Sequence, residues 1–575
     1  MADRRRDRSS APAGAGGPPP ALVSAPTPLP ERALLPLADA DHAARLLAVH
    51  GAELLHVEGR GWAVWDGARF AFSKGALRAF GVATRLRDIL REEAAWIAAH
   101  LPVEEGDIAA FLASKGNAKH GNKPPEELAE LVRQWRAERH RKESVDLGNV
   151  ARIERALRFA QHRCVVTVDD LDADPLGFVC GNGRVDLAAA YRWARPEGCT
   201  EVEEAAARAA WLGAPEARRL PSRCAGVDYD PTAACPAWEA FVALILPDPE
   251  ERAALQRCLG YLLSGDNPEA ACFILRGPGG NGKSTLLNAL NAVLGARDGY
   301  VAVCDIEQFI VTPPRPAGGH NADEVDLPGA RVFTAVEPAP NDVLSMKKIK
   351  AWTGGDRRRS RGAFQSGSFF WTPRGVPLLS VNRTPKLKDD DPGTRRRLIF
   401  IPLRVDLKAL PEDQRRPAHE VEAEHRAEAA GILNWLIDGW RDYKARGGLD
   451  LPQSWHDLRD LLLAGADPVA AFLREMTEPA EDGVIPRADF NKAQKLWAEE
   501  EGASVWSSKA INDAMVERDW RAVKRDGIFC WTGLRWQRDA APFLTRALGH
   551  TPEPPQIAPL GSASGAADLD DAPPF

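Results

Sequence analysis

A chain of 575 residues exceeds what one hydrophobic core usually serves, so two or three folded units are expected. Its apolar share of 44% suits a globular protein. No uncharged apolar run approaches the roughly eighteen residues of a membrane span, and the N-terminus lacks the apolar core of a secretory signal, so a cytoplasmic protein without a membrane partner is expected. A net charge of -7 argues against a uniformly basic nucleic-acid binder, yet Lys and Arg crowd between positions 347 and 397, and a local basic stripe matters more than the total.

The nine cysteines include no CxxC pair and no His at finger-like spacing, which excludes a zinc finger and leaves reduced core thiols. Residues 1–38 are rich in Pro, Ala, Ser and Gly and cannot bury enough surface to order themselves, so a disordered arm is expected. Its RRRDR start reads as a solvated basic terminus, with contact to DNA phosphates as the sharper alternative. From residue 39 the pattern becomes globular. DHAARLLAVHGAELL has helical spacing, and GRGWAVWDGARFAFS alternates and turns at Asp66-Gly67 as a hairpin would. VVTVDDLDADP offers Asp169, Asp170, Asp172 and Asp174 after a strand. Metal-binding carboxylates of a primase site are one reading, and an ordinary acidic turn, with no partnering His or third carboxylate strand, is the plainer one.

From 271 to about 405 short apolar strands alternate with amphipathic helices, the pattern of a mostly parallel sheet. In ACFILRGPGGNGKSTLLNALNAVLG a buried strand precedes a glycine-rich loop, and a helix with Leu286, Leu287, Leu290, Val293 and Leu294 on its apolar face follows it. Gly277, Pro278, Gly279, Gly280, Asn281, Gly282, Lys283, Ser284 and Thr285 form this phosphate loop. The glycines let backbone N–H groups curl around phosphate oxygens at a helix N-terminus. Lys283 reaches the terminal phosphates of ATP and Ser284 holds Mg2+. A second strand, ARVFTAVEP, delivers Glu337 to orient the attacking water. The neighbour that often holds the metal shell is Val336 here, with Asp342 a distant substitute. A third strand, VPLLSVN, ends in Asn382, a sensor of the terminal phosphate or a turn former. GTRRRLIFIPL then feeds an arginine cluster into a fourth strand. A helix follows with Ile432, Leu433, Trp435, Leu436 and Trp440 inward, and a smaller helical unit ends in a Trp-rich hairpin, GIFCWTGLRW.

The order GARVFTAVE, KKIKAWTGGDRRRSR, VPLLSVNRTPKL, TRRRLIFIPL behind the phosphate loop resembles superfamily 3 helicases, in particular phage and plasmid primase-helicases related to the poxvirus replication ATPase. WAVWDGARF, GFVCGNGRVDL, VDYDPTAACPAWEAFV and LQRCLGYLLSGD look like the helical domain before the motor in that family, and GILNWLIDGW and DPVAAFLREM like its continuation. The resemblance implies an α/β fold with an AAA+ ATPase core at 241–410. A mixed, mainly helical domain precedes it at 39–240, a helical continuation follows at 411–460, and a winged-helix-like domain at 461–540 precedes a disordered tail at 541–575. It implies a homo-oligomeric ring, usually a hexamer, with ATP at subunit boundaries and Arg396 or Arg397 reaching into the neighbour's site. It also implies a pore hairpin in which Lys350, Arg357, Arg358, Arg359 and Arg361 track single-stranded DNA, with Phe369, Phe370 and Trp371 stacking or packing its base. Gln365 stands where relatives often show a Lys, and the spacing is one residue longer. The primase catalytic domain of some relatives has no counterpart.

The ending DLDDAPPF resembles the acidic tip of bacterial single-stranded DNA-binding protein. Asp568, Asp570, Asp571, Pro574 and Phe575 would dock on a host replication protein, or serve as an unpartnered acidic tail. The expected function is an ATP-dependent replicative DNA helicase of a phage, prophage or plasmid. An origin-binding initiator reading duplex DNA, a primase-associated ATPase and a metabolic phosphate-loop enzyme are the alternatives.

Overall fold

The computed structural model describes residues 27–549 except 278, 297, 313–323, 337–342, 361–367, 383–385, 388–391, 413–414, 465–467, 501–504, 526 and 538–539. The chain divides into two compact units, one of residues 1–386 and 396–457, the other of 387–395 and 458–575.

In the first unit a short helix, Leu29–Ala33, lies within the segment expected to be a disordered arm and buries Ala33. Helix α1 (Asp39–His50) follows, and its apolar spacing buries Ala43 and Leu46. Strands β1 (Leu54–Val57), β2 (Gly61–Trp65) and β3 (Phe70–Ala71) follow, and the turn at Asp66-Gly67 closes the expected antiparallel pair. This small sheet, ordered β3-β2-β1-β4, gains β4 (Val165–Val166) after a set of helices. Among them α2 (Leu86–His100) packs on α3 (Pro125–Asp146). At their base Arg45, fully buried, donates through Nε to Glu93 at 2.8 Å and through its other nitrogens to two backbone carbonyls, so the buried charge is both paired and hydrogen-bonded.

The larger sheet is built from β5 (Cys272–Arg276), β6 (Val301–Val303), β7 (Val332–Val336), β8 (Val376–Val381) and β9 (Leu398–Pro402). Every pairing is parallel, in the order β9-β5-β8-β7-β6. The strands read as unbroken apolar runs because helices cover the sheet, and β5, β8 and β9 bury nearly every residue. Helix α4 (Lys283–Leu294) buries Leu286, Leu287, Leu290, Val293 and Leu294, each contributing about 1.5–3 kcal/mol. Helix α5 (Ala429–Arg446) buries Ile432, Leu433, Leu436 and Trp440 as expected, while Trp435 is half-buried.

The helical region is tied to this sheet by buried arginines. Arg223 donates to the carbonyls of Pro328 and Gly299, both at 3.1 Å, and Arg331 donates to those of Leu263 and Gly177 and lies 4.5 Å over the Tyr300 ring. All nine cysteines are free and seven are buried, with Cys199 and Cys224 half-buried. Burial pushes the thiols of Cys164, Cys258 and Cys272 up to about 12, so they are inert core groups. Among the described residues no helix is long and apolar enough to cross a membrane.

The second unit has its own core around Phe472, Phe490, Trp497, Ile511, Met515 and Trp531. Its elements are α6 (Pro468–Met476), β10 (Thr477–Pro486), α7 (Arg487–Glu500), α8 (Ser508–Glu517), β11 (Ala522–Arg525) and β12 (Ile528–Trp536), with an antiparallel sheet ordered β10-β12-β11. A last helix, Ala541–Leu548, buries Phe543 and Leu544 in the core and so orders the start of the segment expected to be a disordered tail. GIFCWTGLRW is therefore not a hairpin. It is one strand, and Gly533 takes φ +85° where the pairing with β10 shifts register. The reversal lies just before it, where Arg525 pairs with Ile528.

Candidate active site

The parallel sheet brings the ends of its central strands to one level. Val381 pairs with Arg276, Pro402 with Arg276, and Val336 with Ser380. The groups just past those ends thus share one edge, the carboxyl edge where parallel sheets collect ligands. Gly277 N–H donates to the Val381 carbonyl at 3.3 Å, which sets Asn382 beside the start of the glycine loop.

The loop's conformation follows from its glycines. Gly280 and Gly282 adopt φ +91° and +86°, a region that costs other residues about 1–2 kcal/mol. A Cβ at Gly277 would lie 2.2 Å from the Leu403 carbonyl oxygen, and one at Gly282 would lie 3.0 Å from Phe241 and Ile245. Asn281, buried, donates from Nδ2 to the Leu403 carbonyl at 2.8 Å and accepts from Lys283 Nζ at 2.9 Å. It therefore anchors the loop to the chain after β9. Lys283 is also buried and donates to the Gly277 carbonyl at 2.6 Å, so its ammonium lies within the curl of the loop. Ser284, next to it, is exposed, while Thr285 is buried in the first turn of α4.

These residues line a cavity of about 640 Å³, within the range of small-molecule sites. Gly279, Gly280, Asn281, Gly282, Lys283, Ser284, Thr285 and Asn382 contribute to its wall, and so does Val336 at the end of β7. Glu337, Asp342 and Pro278 lie outside the described residues. The rest of the wall was not anticipated. Ala237, Phe241 and Leu244 come from the helix Pro236–Ile245, and Leu407, Lys408, Arg416, Val421 and Glu424 from the chain beyond β9. Phe241 is held edge-on to His425 with ring centres 4.9 Å apart, and Arg416 pairs with Glu424 at 2.6 and 2.8 Å. The wall thus combines cations and backbone groups of the loop with apolar side chains, a mixture that suits a phosphate chain carrying a flat base. Nothing in the spacing around the glycine loop points to these residues, because they come from segments more than thirty positions before it and a hundred after it.

The two arginines after the Asn strand are placed differently. Arg396 is exposed, whereas Arg397, half-buried, donates from Nη1 to the hydroxyl of buried Thr353 at 2.9 Å.

The basic stretch forms an antiparallel pair, Arg358–Ser360 with Phe369–Trp371. Alternation buries Phe369 and Trp371 and leaves Phe370 exposed. Trp371 Nε1 donates to Ser360 at 2.8 Å and packs against Trp352, so these aromatics form the base of the pair. Arg358 turns inward to buried Glu324 and to Gln308 at 3.0 Å, 4.4 Å over the Trp352 ring, which removes it from the exposed cationic set. Arg357 lies 5.6 Å over Phe370 and pairs with Asp169 at 2.9 Å, and exposed Arg359 donates to Ser368 at 2.9 Å. Lys350 is half-buried on the helix Met346–Thr353. Arg361 and Gln365 lie outside the described residues, as do Asp568, Asp570, Asp571, Pro574 and Phe575.

The acidic run has structural work. Asp170 accepts from Thr167, Asp172 from the Ser222 N–H at 2.8 Å, and Asp174 from Arg184 and Arg219. Among the described residues no cluster of His, Cys, Asp and Glu could hold a metal ion.

Residues 43–247 match the family model described as D5 N terminal like. A segment of 163 residues, 28% of this chain, is 35% identical to the protein named "Putative helicase L207/L206" of Acanthamoeba polyphaga mimivirus, and the match spans 16% of that protein's length. Among solved structures, the apo A form of the NrS-1 C terminal region is similar at 13% identity over 52% of this chain and 75% of that one, with a TM-score of 0.31. A further apo structure of that region covers the same shares with a TM-score of 0.32. Superpositions this loose carry no comparison of sites.

Proposed function

We propose that this chain, a member of the phage and viral primase-helicase family, is an ATP-hydrolysing DNA motor of the superfamily 3 type, working as a ring on single-stranded DNA during replication of a phage, prophage or plasmid. The observation that carries this reading is the strand order. Numbered along the chain, the sheet runs 5-1-4-3-2, with the glycine loop leaving strand 1 between strands 4 and 5 and the cavity at their carboxyl ends. That arrangement supports an AAA+ core at 241–410, preceded by the helical domain at 39–240 and followed by the continuation at 411–460. The helix and strand order of the second unit supports a winged-helix-like domain at 461–540.

In this reading the glycine-loop N–H groups cradle the phosphates, and Lys283 leaves its loop carbonyl for the terminal phosphate oxygens. Asn382 fixes the attacking water or the terminal phosphate, and Glu337 orients that water. Ser284, whose residue type suits Mg2+ and which lines the cavity beside Lys283, would hold a Mg2+ ion, and the ion would supply charge neutralisation there. The apolar wall of Phe241, Leu244 and Val421 receives the base. Arg396, exposed, is the better candidate for reaching a neighbouring subunit's ATP. Arg357, Arg359 and Phe370, with Arg361 and Lys350, are the DNA grip.

The test is ATP hydrolysis by the purified chain with and without single-stranded DNA, with Lys283→Ala as the blank. Strong stimulation that vanishes in the variant is the expected result. Hydrolysis indifferent to DNA would move the chain to an ATPase of another kind.

A further inference from the structure

The second unit carries a basic, exposed hairpin that the ATP site does not use. Strand β11 is the free edge of the sheet, and every described residue from 521 to 529 is exposed. The register sets Lys524 opposite Phe529 and Arg525 opposite Ile528. Ile528 and Phe529 are each about half exposed, at 55% and 51%. Lys524 Nζ lies 5.9 Å and Arg487 Cζ 5.5 Å from the Phe529 ring centre, so the exposed ring has two cations beside it. Among the described residues no carboxylate pairs with Arg521, Lys524 or Arg525. The acids of this sheet lie on the opposite edge strand, where Glu478, Glu481 and Asp482 are found.

Charges on an edge strand are a common guard against strand-to-strand aggregation. That role accounts for Lys524 and Arg525 but not for the exposed Phe529 and Ile528 beside them, which a guard would avoid. A ligand with a regularly spaced anion and a flat apolar face satisfies both.

We propose that this hairpin is a second nucleic-acid site, in which Phe529 stacks on a base of a single strand and Arg521, Lys524 and Arg525 take its phosphates. Stacking on an exposed ring needs unpaired bases, which favours a single strand over a duplex. The helix before the hairpin agrees: SKAINDAMVE sets Lys509 against Asp513 and Glu517, so α8 offers no net positive charge to the phosphates lining a major groove. Contact through phosphates and stacking is sequence-independent. The site lies in the second unit, the proposed ATP site in the first, and it stands whether or not the chain hydrolyses ATP.

The experiment uses the full chain, without nucleotide, in an Arg357→Ala/Arg359→Ala background that removes the other basic pair. Binding of labelled oligo-dT is followed across salt concentrations. Adding Lys524→Gln/Arg525→Gln should weaken it about ten-fold or more and lower the salt slope by about 1.4, two contacts at roughly 0.7 each. Phe529→Ala should weaken it by a similar factor. A photo-crosslinking phenylalanine analogue at position 529 should capture the oligonucleotide, a readout that does not depend on how the charge variants fold. Unchanged affinity and slope, absence of crosslink, or preference for a duplex of equal length or for phosphatidylglycerol vesicles would each overturn the proposal.

Discussion

Arg396 and Arg397 are adjacent in sequence and indistinguishable by motif, yet their surroundings differ. Arg397 donates to Thr353, a buried hydroxyl in the WTGGD stretch, and so ties the start of the last strand to the helix before the basic hairpin. Arg396 is exposed at the same turn. A side chain meant for another subunit's phosphate must be accessible, and one already satisfied within its own subunit loses that bond to reach out. Arg396→Ala is therefore expected to lower ATP turnover about a thousand-fold while leaving nucleotide affinity and melting temperature near the wild-type values. Arg397→Ala should instead destabilise the fold by about 1–3 kcal/mol, because it removes a hydrogen bond from a charged donor, while the Thr353 hydroxyl keeps its bond to the Ile349 carbonyl. Melting curves beside turnover numbers separate the two, and the reverse pattern would exchange the assignments.

At the scale of elements, what could be read from the sequence was whatever is local. The strand, glycine loop and helix at 272–294 announce themselves because a buried run, a string of residues without side-chain obstruction and a 3.6-residue apolar period follow one another without interruption. The strands ending at Val336 and Val381 were legible for the same reason. The apolar residues of the cavity wall were not, since Phe241 and Val421 reach it only through tertiary packing. Alternation in Phe369, Phe370 and Trp371 decides which ring is exposed, but only the strand register fixes the phase. GIFCWTGLRW, expected as a hairpin, is instead a single strand, in which Gly533 falls at a register shift that only the partner strand makes visible. Gly282 joins the local and the tertiary parts of the site, as the left-handed residue that starts α4 and the point where Phe241 and Ile245 touch the loop. Gly282→Ala should cost about 1–2 kcal/mol in backbone strain, seen as a roughly ten-fold loss of affinity for a fluorescent ATP analogue. Unimpaired binding would mean that the loop relaxes when nucleotide enters.

Two properties belong to the molecule as a whole. The first is its response to acid. Burial lowers the pKa of His42, His56 and His425 and pushes that of His140 down to about 4, so all four are neutral in the folded chain where an unfolded chain takes up protons near 6.5. The unfolded state binds more protons in that interval, so stability is fully present above 6.5 and falls as pH drops toward 4. Glu93, whose pKa burial raises, opposes this as acid increases. Melting temperature should therefore decline between pH 7 and 5, and a flat profile would show that the histidines are hydrated in solution. The second is whether one subunit completes its own copy of the proposed ATP site. The cavity is lined by Lys283, Ser284 and Asn382, but Arg396 is not part of its wall. If the arginine acts across a heterologous ring contact, Lys283→Ala subunits lack a working loop but keep a working arginine, and Arg396→Ala subunits have the converse. Each alone should be inactive. In an equal mixture about a quarter of the contacts pair an intact loop with an intact arginine, so roughly a quarter of wild-type turnover should return. If the arginine serves its own subunit's site, no contact in the mixture contains both groups and turnover stays at zero. Recovered activity thus tests the ring and the direction in which the arginine acts in one measurement.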